Sequence, residues 1–189
     1  MKNLKTIAIA ILVAFSTVTA TAQTKNVDVA KSTINWVGKK VTGKHEGTVN
    51  IKEGSLIFKN KKLTGGNFIV DMTSLEATDL KAGEGKEKLE GHLKSDDFFG
   101  TDKFATSKLV FKTIKANGKN SYTVTGDLTI KSTTNPVTFT ITIKGNTAST
   151  SLKIDRTKFD VKYGSGSFFD NLGDKAISDN FDLNVALQF

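Results

Sequence analysis

The chain has 189 residues, with no cysteine, one proline, 16 glycines, two histidines and a formal charge of +8 from 27 basic and 19 acidic side chains. That size suits one domain, and a hydrophobic share of 38% supports a core without covalent staples. The lack of cysteine excludes disulfides, thiolate zinc sites, iron–sulfur clusters, a lipoprotein anchor and a cysteine nucleophile, and two histidines leave little capacity for metal.

The first 22 residues read as a secretory signal peptide. Lys2 and Lys5 form a basic start, Ile7 to Val18 is an apolar run broken only by Ser16 and Thr17, and Ala20-Thr21-Ala22 is a small-residue cleavage pattern. The run is too short for a membrane span. Removing 22 residues, two of them lysine, leaves residues 23–189 as a 167-residue domain of charge +6, expected in the periplasm or outside the cell. Its lysines are scattered and Arg156 is the sole arginine, so nucleic acid is not an expected partner. Weak contact with an anionic membrane surface is what such a surface offers.

Beyond residue 22 the pattern is that of strands. The first half is noisy: Ile34 and Trp36, Val41 through Ile51, Leu56 to Phe58, then Phe68, Val70 and Met72. Gly65-Gly66 reads as a hairpin signal. From Glu84 to Leu93 the chain is charged and lacks β-branched residues, and Leu89, His92 and Leu93 at i, i+3 and i+4 predict a short amphipathic helix. Ser95 follows as the N-cap of a second turn carrying Phe98 and Phe99.

The second half alternates cleanly. Leu109 to Ile114 is followed by Asn117-Gly118, a hairpin signal, and then by Tyr122, Val124, Leu128 and Ile130 on one face. Pro136 opens the next strand, where Val137, Phe139, Ile141 and Ile143 alternate with threonines. Gly164 to Ser167 reads as a mobile loop. The chain closes on Phe181, Leu183, Val185, Leu187 and Phe189, again with period two. The expectation is an all-β fold: a single antiparallel barrel of eight strands with a short helix near one mouth, its interior filled by side chains or holding one small ligand.

Several strings resemble a known family. His92-Leu93-Lys94-Ser95-Asp96-Asp97-Phe98-Phe99, Gly126-Asp127-Leu128-Thr129-Ile130 with Pro136-Val137, and Ile154-Asp155-Arg156-Thr157-Lys158-Phe159 with Asp179 are similar, in order, to the YceI-like polyisoprenoid-binding family. Lys44-His45-Glu46-Gly47 fits its early segment, and Tyr163 to Phe169 with Leu172-Gly173-Asp174 resembles a variant of secreted, Bacteroidetes-type members. The resemblance implies a lipocalin-like barrel that binds a long-chain isoprenoid or other amphiphilic lipid, with no catalysis and no cofactor.

Ten well-buried methylenes would supply about 8 kcal/mol before binding costs, so an apolar tail needs no strong polar anchor. The candidate ligand-binding residues are Trp36, Phe68, Val70, Met72, Phe139, Ile141 and Phe181 as apolar wall, Phe98 and Phe99 as plug or lid, and His45, His92 and Arg156 as inward polar groups. Arg156 shares a strand face with Leu152 and Ile154 and therefore requires a carboxylate such as Asp179, a ring of carbonyls, or an anionic head group. Each histidine is read as neutral and hydrogen-bonded. Two other readings compete: a hydrolase-type enzyme using His45, His92, Asp96 and Asp97 on an amphiphilic substrate, and a filled-core stress-protective module. A chain longer than the barrel would protrude or span a homodimer.

Overall fold

The computed structural model describes residues 21–189; residues 1–20, which hold most of the expected signal peptide, lie outside it. Nine strands form one continuous antiparallel sheet: β1 (Ala22–Asn26), β2 (Thr33–Lys40), β3 (Gly43–Lys59), β4 (Lys62–Ala77), β5 (Thr106–Ala116), β6 (Ser121–Ile130), β7 (Thr133–Lys144), β8 (Thr147–Asp155) and β9 (Ile177–Gln188). Each strand pairs with its sequence neighbour from β2 to β9, and β2 also pairs with β9, which closes an eight-stranded barrel. β1 is an extra segment rather than a ninth stave. It pairs with Ser55–Lys59 of β3, on the edge that β2 covers farther along from Gly43 to Val49, so two short strands share the flank of one long one.

The period-two alternation fixes which face is inside. Val124, Phe139 and Ile141 are buried while Thr123, Thr138 and Thr140 are not, so apolar side chains point inward and threonines outward. Glycine permits two close approaches on the inner wall. A Cβ at Gly47 would stand 1.9 Å from the Glu76 carbonyl oxygen and 2.6 Å from the Trp36 ring, and one at Gly66 would stand 2.8 Å from Phe111.

That close packing, not a turn, explains Gly65-Gly66. Both residues lie inside β4, opposite Ile57 and Leu56, and the hairpin turns four residues earlier at Asn60-Lys61, whose φ values are +51° and +63°. Positive φ at both central residues is what a tight hairpin requires. Pro136 likewise sits within β7 rather than at its start, because the β6–β7 turn falls at Lys131-Ser132. The Asn117-Gly118 signal does mark the β5–β6 connection.

The helix, α1 (Lys86–Lys94), crosses one end of the barrel. Glu90 accepts the Ala77 backbone N–H at 2.9 Å, and Lys86 pairs with Glu76, so the helix is tied to the end of β4. Ser95 is its C-cap and not the N-cap of another helix: its hydroxyl donates back to the His92 carbonyl, 2.8 Å away. The next residues fold as turns, with the N–H groups of Phe98 and Gly100 on the Ser95 carbonyl. Arg156 also departs from expectation. β8 ends at Asp155, whose side chain accepts from the Thr157 N–H and starts a 3-10 turn (Arg156–Phe159), so Arg156 leaves the strand face.

Candidate ligand cavity

Many inward side chains are only half buried, among them Val70, Leu109, Phe111, Leu128, Leu152, Leu183 and Val185. They do not pack against one another because they surround an open volume. The barrel encloses a cavity of about 360 Å³ whose wall is almost wholly aliphatic and aromatic. This lies at the lower end of the ~300–1,000 Å³ usual for ligand pockets, and it is incompatible with a barrel filled by its own side chains.

The twelve candidate residues all border this space. Trp36, on β2, is buried and directs its indole N–H to the Thr48 carbonyl at 3.2 Å, leaving its ring toward the cavity. Phe68, Val70 and Met72 line it from β4, Phe139 and Ile141 from β7, and Phe181 from β9. The helix adds Leu89, His92 and Leu93, the face its spacing assigned.

At the helix end the wall becomes an aromatic cluster. Phe98 and Phe99 are buried, their rings edge to face at 5.3 Å, and Phe99 continues to Phe181 at 6.3 Å. The His92 ring stands edge-on to Tyr163 at 4.4 Å and to Phe98 at 5.6 Å. His92 is thus set among aromatic rings. Such offset contacts add about 0.5–1.5 kcal/mol per pair beyond area burial.

Arg156 holds the loop beneath this cluster. It is 2% exposed, and its guanidinium donates to three backbone carbonyls, from Nε to Ser178 at 2.9 Å, from Nη1 to Val161 at 2.7 Å and from Nη2 to Ile177 at 3.0 Å. Asp179 Oδ1 is buried 3.8 Å from Nη2, an ion pair without a direct hydrogen bond. Carbonyls thus satisfy the charge and Asp179 balances it from a longer distance. Burial lowers the Arg156 pKa, with Asp179 and Asp155 opposing that shift; the group stays charged. Ser165 and Ser167, with a smaller contribution from Arg156, hold the Asp179 carboxyl below the usual aspartate range against the opposing effect of burial.

The same contacts pin the Gly164–Ser167 loop expected to be mobile. Ser165 is fully buried, and the Ile177 N–H donates to the Gly164 carbonyl at 2.7 Å.

His45 borders the cavity at the β2–β3 hairpin, together with Lys39 and Lys40. Its Nδ1 is 2.8 Å from Asp79 Oδ2, and Asp79 Oδ1 also accepts the Glu46 N–H. Burial raises the Asp79 pKa, yet these hydrogen bonds outweigh it and leave the carboxyl below its ordinary value. Asp79 was not anticipated, being 34 residues from His45 in a loop after β4. The acidic residues expected beside the histidines lie elsewhere: Asp96 is exposed and paired with Lys103 at 2.6 Å, and Asp97 is exposed. Among the described residues no group of three histidine or acidic side chains is arranged to hold a metal ion.

Comparison with known proteins agrees with this architecture. A UPF0312 protein of Pseudomonas putida (strain W619) is 36% identical over 87 residues, which are 42% of this chain and 45% of the relative. A UPF0312 protein of Staphylococcus aureus (strain N315) is 49% identical over 59 residues, 31% of this chain and 32% of the relative. The chain thus spans less than half the length of these curated relatives. The crystal structure of Burkholderia cenocepacia BcnA is similar with a TM-score of 0.64 and 26% identity, covering 85% of this chain and 98% of that one. A polyisoprenoid binding domain from Saccharophagus degradans shares the fold with a TM-score of 0.58 at 12% identity, covering 89% of this chain and 97% of that one. The YceI-like domain profile matches residues 26–189, from the end of β1 to the final residue, and the chain belongs to the YceI-like family.

Proposed function

We propose that this protein is an exported, non-catalytic carrier or sequestering protein that holds a long isoprenoid or similar amphiphilic lipid inside its barrel. The observation that carries the reading is the cavity of about 360 Å³ with an almost entirely apolar wall. Apolar burial at roughly 25 cal/mol per Å² drives such binding without a charged anchor. Family membership and the polyisoprenoid binding domain of the same fold support the ligand class. Export rests on the pattern of residues 1–22, and the Bacteroidetes-type affiliation on the Tyr163–Phe169 string.

The acid–base alternative is less well supported. His45 has its carboxylate in Asp79, but His92 stands among aromatic rings, and Asp96 and Asp97 face solvent. The single tryptophan, Trp36, lies on the cavity wall and provides the assay. Titration with polyprenols should change its emission saturably, and native mass spectrometry of the purified protein should reveal a co-purifying apolar ligand. A protein that stays empty and shows no Trp36 response to any polyprenol or long-chain fatty acid would refute the carrier reading.

A further inference from the structure

β7 has twelve residues and β8 nine, yet the ladder between them contains four pairs, from Ile141 opposite Thr150 to Lys144 opposite Thr147. Had it continued in register, Val137 would face Ile154 and Thr138 would face Lys153. Instead the strands part around a cleft of about 340 Å³. Both strands are well formed on their other sides: β6–β7 pairing runs unshifted from Ser121 to Ile130, and β8–β9 pairing runs to Asp155 opposite Asn180. The gap is therefore a break between two sound staves. The sole proline of the chain, Pro136, lies on this free edge, the location where a missing N–H is tolerated in a sheet.

The break is framed at both ends. At one, the Thr150 hydroxyl donates to the Thr140 carbonyl at 2.8 Å; at the other, the Asn135 amide donates to the Lys158 carbonyl at 2.7 Å. Residues 135 to 140 span roughly 17 Å of strand between them. Val137, Leu152, Ile154 and Asn180 line both the cleft and the central cavity, so the two spaces share a wall. The outer lip is polar, with Thr138, Lys153 and Lys158. At the helix end the Phe98, Phe99 and Phe181 rings crowd part of the rim, while the exposed Lys39 and Lys40 border the cavity beside His45.

We propose that the β7–β8 slit is a lateral port through which one end of an extended hydrocarbon chain leaves the barrel. The inference rests on the carrier reading and adds where a chain too long for the cavity goes. Where β7 and β8 separate, only the side chains of Val137, Leu152, Ile154 and Asn180 stand between the cavity and the cleft, with no backbone ladder across them, so their displacement would give the surplus length an apolar passage to the polar outer lip.

The chain has no cysteine, so a single one can be labelled uniquely. Thr138→Cys and, separately, Lys153→Cys on the opposite lip would each carry a bulky maleimide. Lys115→Cys, exposed on β5, serves as the labelled control. Trp36 emission would report binding of geraniol, which has two isoprene units, and geranylgeraniol, which has four. Blocking either lip should weaken geranylgeraniol binding by about tenfold or more and leave geraniol unaffected, while the control label changes neither. Lip adducts that leave both affinities unchanged, or reduce both equally, would overturn the port. If the unlabelled protein binds neither alcohol nor any longer polyprenol, the carrier reading itself fails, and the port with it.

Discussion

The guanidinium carbon of Arg156 stands 5.4 Å from the centre of the Phe98 ring, so the buried cation supports the aromatic cluster from below while its N–H groups bind the carbonyls of Val161, Ile177 and Ser178. One side chain thereby joins the turn after α1, the turn after β8 and the start of β9. Replacing Arg156 with Met leaves three carbonyls without their donor and the Asp179 carboxylate without its counter-charge. Chemical denaturation should show a loss of about 3–5 kcal/mol. Arg156→Lys should also destabilise, since an ammonium lacks the planar fork that reaches three acceptors. A loss below about 0.5 kcal/mol for Arg156→Met would show that the carbonyl contacts do not secure this end of the barrel.

Acid sensitivity should trace in part to Asp179 and Asp79. Both carboxyls lie below their ordinary pKa in the folded protein, so the folded state holds its protons more weakly than the unfolded chain. Their contribution is present above the unfolded value and is lost as pH falls through the folded one, in a window below about pH 4. Asp179→Asn removes one titrating group while keeping its shape. The variant should be less stable than the parent near neutrality and should show a flatter decline in thermal midpoint from about pH 4 to pH 2. Parallel curves for the two proteins would exclude Asp179 as a source of the acid sensitivity.

Gly47 and Gly38 provide a matched pair on adjacent strands. At Gly47 a methyl group collides with the Glu76 carbonyl and the Trp36 ring, whereas at Gly38 it meets nothing within 4 Å. Gly47→Ala should cost about 1–3 kcal/mol in urea unfolding and shift Trp36 emission, because the indole is displaced. Gly38→Ala should be neutral within about 0.5 kcal/mol. Equal responses at the two positions would contradict the close approach.

The Asn60-Lys61 turn carries a correctable strain. Lys61 adopts φ +63° with a full side chain, a conformation that costs a non-glycine residue about 1–2 kcal/mol. Lys61→Gly should raise the urea midpoint by the equivalent of about 1 kcal/mol without altering ligand binding, since the turn lies outside the cavity wall. A lower midpoint would mean that the lysine makes a contact the geometry does not account for.

The parts of the structure legible in the sequence are those that depend on period. Alternation in β6, β7 and β9 assigns the inward faces of Val124, Phe139 and Phe181, and spacing in α1 assigns Leu89, His92 and Leu93. The same parity also turns Leu128, Leu183 and Val185 inward, so a fuller lining was available from it. What escaped depends on contacts distant along the chain. Gly65-Gly66 carries the chemistry of a turn, but its role is set by Ile57 and Phe111 on neighbouring strands. The Ser95 hydroxyl has a choice of two directions that only the path of the chain decides. Arg156 leaves its strand because Asp155 caps a turn, and the Asp79 partner of His45 follows no periodicity.

The ring of strands closes through β2 and β9, where Ile34 lies opposite Val185, about 150 residues away in sequence. All other pairings between neighbouring staves join consecutive segments and can form as local hairpins or meanders. Closure therefore carries the largest loop-entropy cost and should come late in folding, as expected for topologies rich in non-local pairing. Until it forms, the sheet remains open and its apolar inner face is exposed along a seam from Thr33 to Lys40. The newly made chain is consequently most vulnerable to aggregation in the interval before its first and last barrel strands meet.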